Sequence, residues 1–158
     1  MTAGTTPDML KAVFDANVLV SAFLSREKPG GATNQLLRFA VSEAIDLYLS
    51  VEIIDEAAGI LLERPRLRRR YQYSPDQVGQ YRSDLLTLAA IIDDPTPMPG
   101  SVPRDPDDDK IIACAASAGA EYLVTRDLDL LSLGRFETIT MISPEDFLPL
   151  VRASQRRP

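Results

Sequence analysis

The residue types of this 158-residue chain favour chemistry done by carboxylates. The sequence has no histidine and one cysteine, whereas aspartate and glutamate together number 23. Without histidine, Ser-His-Asp catalysis, Cys-His catalysis and histidine-bound zinc are excluded, and one cysteine forms neither an internal disulfide nor a metal cluster. Cys114 lies in an apolar, alanine-rich run, which predicts a buried structural thiol rather than a nucleophile. Acidic side chains can hold a hard metal ion, and the metal can activate water.

Two acids lie where a predicted strand ends, and a third lies within the helix that follows another predicted strand. Asp15 directly follows an apolar run, and Asp127 lies two residues past Thr125 at the end of another. Glu56 lies about one and a half turns into a helix, on the side of its apolar stripe, where an acid needs a partner. Singly, Asp15 and Asp127 are typical of turns or helix caps, and Glu56 is typical of a solvated helix face.

A further acidic run, DPDDD at 105–109, begins another predicted helix. Asp105 fits the role of helix cap, and Asp109 lies on roughly the same side because four residues rotate a helix by about 400°. Such runs usually cap a helix and complement its dipole. Acids that converge from separate elements repel one another unless a cation lies between them. The combination of these acids, rather than any one of them, therefore indicates a metal site.

The elements that must position these acids alternate between short apolar strands and helices. This alternation indicates a parallel sheet covered on both faces, hence an α/β fold. In such sheets ligands bind beyond the carboxyl ends of the strands, where Asp15 and Asp127 are expected. The strands are predicted at 11–15, 47–49, 122–125 and 138–142, the helices at 16–23, 32–43, 50–62, 74–90, 105–118 and 143–150, a turn into a short helix at 126–131, and a loop with at most an edge strand at 93–106.

Length and composition predict one globular domain. Apolar residues make up 45% and charged residues 25% of the chain, which is ordinary globular usage. We expect a flexible leader at 1–10, a domain at 11–150 and a disordered tail at 151–158. We expect no signal peptide, because the first ten residues lack a basic segment followed by an apolar one. No apolar stretch reaches the roughly 18 residues that a membrane span needs. A lone thiol fits a reducing cytoplasm.

One segment is strongly basic although the net charge is −6. Residues 64–70, RPRLRRR, hold five of the fourteen arginines, including Arg68, Arg69 and Arg70. They can contact nucleic-acid phosphates, face water as a basic helix surface, or contact a partner protein. Tyr71 and Tyr73 follow them, and tyrosines here either stack on bases or pack in a helix junction. The acidic net charge argues against a protein that coats nucleic acid but leaves a nuclease possible.

Three sequence blocks resemble the PIN-domain nucleases, and in particular the bacterial PIN-domain toxins of type II toxin–antitoxin systems, the VapC-like ribonucleases. The resemblance covers residues 11–150. Its most specific part is an acid, a helix of small residues, a glycine, an apolar strand and then Thr-Arg-Asp. The three blocks are FDANVLVSAFLS at 14–25, LSVEIIDEAAGIL at 49–61 and RDPDDDKIIACAASAGAEYLVTRDLDLL at 104–131.

The resemblance implies a three-layer α/β/α sandwich whose carboxylates hold one or two Mg²⁺ or Mn²⁺ ions. Matched by motif, the implied catalytic acids are Asp15, Glu56, Asp109 and Asp127. Asp15, Asp109 and Asp127 are implied metal ligands, and Glu56 either ligates or orients the attacking water. The supporting residues that the resemblance implies are Asp105, which either ligates or caps, and Asn17 and Thr125, which orient the acids. An acidic site also needs arginines to bring RNA to it: Arg126 lies beside the predicted site, and the arginines of 64–70 are the candidates for the approach.

The resemblance also implies the reaction and the partners. The expected function is metal-dependent hydrolysis of RNA phosphodiester bonds by a toxin that forms a homodimer and is blocked by an antitoxin. The alternative is a non-catalytic PIN-like module that binds RNA or protein. A weaker alternative is a phosphatase with Asp15 as nucleophile, but the common haloacid-dehalogenase pattern has a second aspartate two residues on, where this chain has Asn17. The chain also exceeds compact PIN toxins in length, with extra segments at 64–73 and 93–103.

Overall fold

A computed structural model describes residues 9–28, 30–93, 95 and 106–156, with only the backbone described at 106–108. Strands and helices alternate along most of it, as the sequence predicts. The strands are β1 (Leu10–Phe14), β2 (Ile45–Leu49), β3 (Ala90–Ile91), β4 (Tyr122–Val124), β5 (Arg135–Phe136) and β6 (Ile139–Ile142); the helices are α1 (Ala16–Leu24), α2 (Ala32–Val41), α3 (Val51–Glu63), α4 (Pro65–Tyr71), α5 (Pro75–Leu88), α6 (Pro106–Ala118), α7 (Leu128–Leu133) and α8 (Pro144–Gln155).

The strands form one sheet in the order β3-β2-β1-β4-β6-β5. All neighbouring pairs are parallel except β5 and β6, which are antiparallel. The chain builds the sheet outward from β1 through β2 to β3 and then returns to add β4 on the other side of β1. The strand order therefore reverses between β1 and β4, and a crevice opens beyond the carboxyl ends of strands at such a point.

Helices flank this mostly parallel sheet and give the three-layer α/β/α fold that the resemblance implies. The last three residues of β1, Ala12, Val13 and Phe14, are buried, as a strand covered on both faces requires. Helix α6 packs against β1, β2 and β4, while α1 contacts α2 and α3. In the described part of the chain no helix is long and apolar enough to cross a membrane.

The helix boundaries follow the predicted signals closely. Ser74 caps α5, accepting a hydrogen bond from the Gln77 backbone N–H at 3.2 Å, while the Gln77 side chain accepts one from the Ser74 N–H at 2.8 Å. Gly119 follows α6 with a positive φ of 66°, a backbone conformation that glycine adopts without a side-chain penalty. Pro65 begins α4 rather than only ending α3.

The prediction of a buried structural thiol at Cys114 is confirmed. The side chain is fully buried within α6, and burial raises the pKa of the thiol to about 11. At neutral pH the protonated thiol predominates, and it is a poor nucleophile.

The prediction of a disordered tail from residue 151 is wrong as far as residue 155. Helix α8 continues to Gln155 through Pro149, and Val151 is buried. The predicted helix ends at residue 150, but burial of Val151 against the core, which the local sequence pattern does not reveal, keeps the next turn helical. Leu10 likewise belongs to β1 and not to the leader. Residues 1–8, 157 and 158, and most of the predicted 93–106 loop, lie outside the described residues.

Two short edge strands complete the sheet beyond the predicted four. β3 has two residues and pairs with β2, while β5 has two residues and pairs with β6. Two-residue strands are too short to show the alternation of apolar and polar positions by which strands are recognised.

Candidate functional site

The site begins with the residues that follow β1 and β4, on either side of the reversal in strand order. Asp15 directly follows β1, and its backbone N–H donates to the Val124 carbonyl at 2.9 Å. The Thr125 hydroxyl donates to Asp15 Oδ2 at 2.8 Å and accepts from the Asp127 backbone N–H at 3.0 Å. Thr125 is completely buried. One hydroxyl therefore fixes Asp15 and the backbone of Asp127 relative to each other.

Both carboxylates also begin helices. Asp15 Oδ1 accepts from the Ala16 N–H at 2.8 Å at the start of α1, and Asp127 Oδ1 accepts from the Asp129 N–H at 2.8 Å at the start of α7. The turn and cap roles considered from the sequence are thus present. They account for one oxygen of each carboxylate, and Asp15 uses its second oxygen to accept from Thr125.

Asp15 is held in an environment that disfavours its negative charge. Burial raises the pKa of the Asp15 carboxyl, the Thr125 and Ala16 hydrogen bonds oppose that rise, and the negative charge of Asp127 adds to it. A buried acid with an acidic neighbour is a frequent feature of functional sites, because a structural role alone seldom requires one.

A cleft of about 730 Å³ opens at this edge of the sheet. It contains four of the predicted site residues: Asp15, Asn17, Glu56 and Asp127. Asn17 reaches it from the first turn of α1, and Glu56 from the exposed side of α3. The topology thus brings Asp15 and Asp127, which are 112 positions apart in the sequence, to one concave surface.

Four further charged residues line the same cleft: Glu52 and Asp55 of α3, Arg64 after it, and Lys110 of α6. Arg64 belongs to the predicted basic segment, whereas Glu52, Asp55 and Lys110 were not predicted as site residues. Lys110 Nζ lies 3.7 Å from Glu52 Oε2, which links α6 to α3 across the cleft. The i, i+4 spacing of Glu52 and Glu56 is the sequence signal that could have identified Glu52.

Asp109 is half-buried in α6 and is not among the residues that line the cleft, although the next two residues of α6 are. Asp105 lies outside the described residues, so the choice between ligand and cap stays open for it. Within the ranges that the structure describes, no three side chains of the types His, Cys, Asp and Glu lie close enough together to hold a metal ion. The metal-ligand set therefore stays a prediction.

The residues present nevertheless fit a hard divalent cation. Asp15 and Asp127 offer carboxylate oxygens only, the ligands that Mg²⁺ and Mn²⁺ prefer. The buried and electrostatically disfavoured charge of Asp15 is the kind that a cation compensates. Thr125 provides the hydroxyl donor that orients such a ligand.

The predicted RNA-binding arginines lie in two different places. Arg126 donates to Ser21 Oγ at 3.0 Å and to Glu145 Oε2 at 2.5 Å, at the rim next to Asp127. Arg68, Arg69 and Arg70 belong to α4, which buries none of its residues. Arg64, one residue before α4, lines the cleft, so the basic segment begins at the site, whereas no residue of α4 is among the residues that line the cleft.

Comparison with known proteins agrees with this architecture. The chain is similar to the protein in "Crystal Structure of PAE2754 from Pyrobaculum aerophilum", with a TM-score of 0.59 and 19% identity over 94% of this chain and 99% of that one. No curated protein matches the chain at a significant level. A family model described as PIN domain matches residues 11–129, which contain all but the first residue of β1, the whole of β4 and every cleft residue named above. The chain therefore belongs to the PIN-domain family, whose members are generally metal-dependent nucleases.

Proposed function

We propose that this protein is a metal-dependent endoribonuclease that hydrolyses RNA phosphodiester bonds. The observation that carries the proposal is the arrangement of Asp15 and Asp127 around the Thr125 hydroxyl at the point where the strand order reverses, inside a cleft large enough for a nucleotide. Membership of the PIN-domain family supports a role in cleaving nucleic acid.

The proposed roles follow from where each side chain is held. Asp15 and Asp127 would hold the cation through carboxylate oxygens, together with Asp109 from α6. Thr125 keeps Asp15 oriented through its hydrogen bond to Oδ2. Glu56, on the α3 side of the cleft, either ligates the metal ion or orients the attacking water and accepts its proton at a carboxylate oxygen. A bound Mg²⁺ or Mn²⁺ supplies an activated water and stabilises the leaving oxygen.

The remaining proposed groups bring RNA to an acidic pocket. Asn17 stands in the cleft and orients the acids, while Arg126 at the rim contacts a phosphate. The arginines at 68–70 extend this basic surface away from the cleft. Phosphate contacts provide most of the affinity for nucleic acid, so an acid-lined site needs basic residues around it.

We also propose that the protein is the toxin of a type II toxin–antitoxin pair, that it forms a homodimer, and that a cognate antitoxin blocks it. Exposed apolar side chains support a protein contact: Leu128 is 77% exposed and Val41 is 66% exposed. Light scattering of the purified protein at micromolar concentration should give twice the mass of the chain. A monomer mass throughout would contradict the homodimer.

The deciding experiment maps cleavage of single-stranded RNA by the purified protein with and without Mn²⁺. The wild type should cut internally only when Mn²⁺ or Mg²⁺ is present, and Asp15→Asn should not cut. Asparagine still caps a helix, so circular dichroism should show that the variant is folded. The control is Asp84→Asn, an exposed acid on α5 away from the cleft, which should cut like the wild type. A wild type that binds RNA without cutting it would indicate the non-catalytic module instead.

A further inference from the structure

A second concavity of about 330 Å³ lies along α1, beside the cleft described above. Its floor is one side of α1, where Asn17, Val20, Ser21 and Leu24 recur at spacings of three and four residues. Lys28 and Tyr71 form its far margin. We call it the α1 groove. Its volume is at the lower end of the range of small-ligand sites, which suits one nucleoside rather than a folded partner.

The α1 groove is continuous with the cleft through Asn17, which lines both. Asp15, two residues earlier, belongs to the cleft, so the two concavities meet beside the carboxylates. A ligand chain with a phosphate in the cleft therefore has its next unit directed along α1. A nucleic acid strand is such a chain.

Tyr71 gives the α1 groove an aromatic margin, and it differs sharply from the tyrosine two residues later. Tyr73 is buried, packs edge-on against Phe23 with ring centroids 5.1 Å apart, and donates to the Leu61 carbonyl at 2.7 Å. Tyr71 is 37% exposed at the end of α4, and the Arg70 guanidinium carbon lies 5.4 Å from its ring centroid. Packing thus explains Tyr73, whereas Tyr71 presents a ring to the groove.

The charge of the α1 groove is opposite to that of the cleft. Its one charged lining residue in the described part of the chain is Lys28, and at its edge Arg126 donates to Ser21 Oγ at 3.0 Å. The cleft, in contrast, contains five acids and two basic residues. The floor of the groove is half apolar (Val20, Leu24) and half polar (Asn17, Ser21). With an aromatic margin and a basic rim it matches a base with its phosphate, because bases stack on aromatic rings while phosphates need cations.

We propose that the α1 groove binds one unpaired base of the RNA adjacent to the cleaved phosphodiester, with the base stacked on Tyr71 and its phosphate contacted by Lys28. This inference rests on the proposed ribonuclease function and adds to it a preference for single-stranded RNA at that position. A paired base has its faces covered by its neighbours in the stack and cannot stack on Tyr71.

Binding is tested in the Asp15→Asn background with Mg²⁺, using labelled single-stranded RNA that stays intact. Adding Tyr71→Ala should weaken binding about 5- to 150-fold, the range for loss of one base–aromatic stack, while Tyr71→Phe keeps the ring and the affinity. The matched control is Leu150→Ala. Leu150 is similarly exposed, at 41%, but lies beside Leu10 and Tyr122 where β1 and β4 begin, at the opposite edge of the sheet.

The position of the base is tested with oligonucleotides that carry one abasic site at successive positions. One position should weaken binding to the Tyr71 protein and have no further effect on Tyr71→Ala, the coupling expected of two groups in contact. Lys28→Ala should reduce the salt slope of log affinity by about 0.7, whereas Lys11→Ala, an exposed lysine of β1, should leave it unchanged.

The outcomes separate this inference from the proposed function. If the wild-type protein cleaves single-stranded RNA but Tyr71→Ala binds and cleaves it equally well, the α1 groove inference is overturned and the ribonuclease stands. If the wild type neither binds nor cleaves RNA, both are overturned. A loss with Tyr71→Ala that is equal for duplex and single-stranded RNA also overturns the inference, because a paired base cannot occupy the groove.

Discussion

The acidic cleft and the arginine-rich helix α4 are built in opposite ways. In the cleft, Thr125 is completely buried and holds Asp15 by a hydrogen bond, and both strands that carry them are central in the sheet. In α4 no residue is buried, and Arg69 and Arg70 are exposed. Chemistry at a phosphate needs groups fixed within fractions of an ångström, whereas attraction of a polyanion needs only charge within reach. We therefore expect substitutions in the cleft to reduce turnover and substitutions in α4 to reduce RNA affinity.

The largest expected effect is on turnover, from a change at the fixed region. Asp127→Asn should reduce cleavage at saturating RNA by more than about 100-fold, because even residues that only support a metal ligand cost about 10- to 100-fold. RNA binding should be kept or improved, since a negative charge is removed. Single-turnover kinetics and filter binding measure the two quantities. Equal losses of binding and turnover would show that Asp127 serves binding and not the reaction.

The next effect is on stability. Mg²⁺ or Mn²⁺ should raise the melting temperature, because a ligand at 100 times its dissociation constant stabilises the folded state by about 2.7 kcal/mol. Asp15→Asn should lose most of this increase, whereas Asp84→Asn on α5 should keep it. Differential scanning fluorimetry over a metal titration gives both results. A melting temperature that does not change in millimolar metal would contradict a metal site in the cleft.

The sequence predicts those features of the two regions that are set by residues close together in the chain. Asp15 and Asp127 were predicted because a strand followed by an acid is a local pattern, and parallel strands end at the same edge. Helix starts were predicted for the same reason: Ser74 and Gln77 carry the whole capping signal within four residues.

Features that depend on distant contacts were not predictable in this way. Lys110 reaches Glu52 of α3 only because α6 and α3 meet across the cleft, and the sequence separates them by 58 positions. Tyr73 is buried and Tyr71 is exposed because Phe23 of α1 packs against Tyr73 and not against Tyr71. Val151 stays helical past Pro149 because it is buried, which no periodicity near the end of the chain indicates.

The exposed region should affect affinity and leave turnover intact. Replacing Arg68, Arg69 and Arg70 by alanine should lower the salt slope of log affinity by about 2, since each lost phosphate contact contributes about 0.7 for a single strand. Turnover at saturating RNA should be unchanged, because the acids are intact. The control changes three other exposed arginines to alanine and so removes the same charge: Arg38, Arg135 and Arg156. Equal slopes for the two triple variants would assign α4 to water or to a partner protein.

A smaller effect concerns the metal-free protein and has a definite sign. Burial raises the pKa of Asp15 in the fold, so its ionised form destabilises the folded state above that raised pKa. In EDTA at neutral pH, Asp15→Asn should therefore melt higher than the wild type. The difference should shrink as pH falls through the raised pKa, because the protonated carboxyl resembles the amide. A wild type that melts higher than Asp15→Asn at neutral pH in EDTA would show that the hydrogen bonds to Asp15 outweigh its burial.

The smallest effect is at Arg126, next to Asp127 in the sequence, which forms an exposed ion pair with Glu145 at 2.5 Å. The Arg126 hydrogen bond lowers the pKa of Glu145, so the pair stabilises the fold above the ordinary pKa of glutamate and this stability is lost as pH falls through the lowered one. Glu145→Gln should lower the free energy of unfolding by about 0.2–1 kcal/mol at neutral pH, and by less in high salt, as for other exposed ion pairs.

Glu145→Gln should also strengthen RNA binding, because Arg126 no longer has a carboxylate partner that competes with phosphate. Urea unfolding and filter binding of Glu145→Gln beside Glu63→Gln, an exposed acid at the end of α3, measure both effects. If RNA affinity rises equally in both variants, the gain comes from net charge alone and Arg126 belongs to the structural rim rather than to the RNA path.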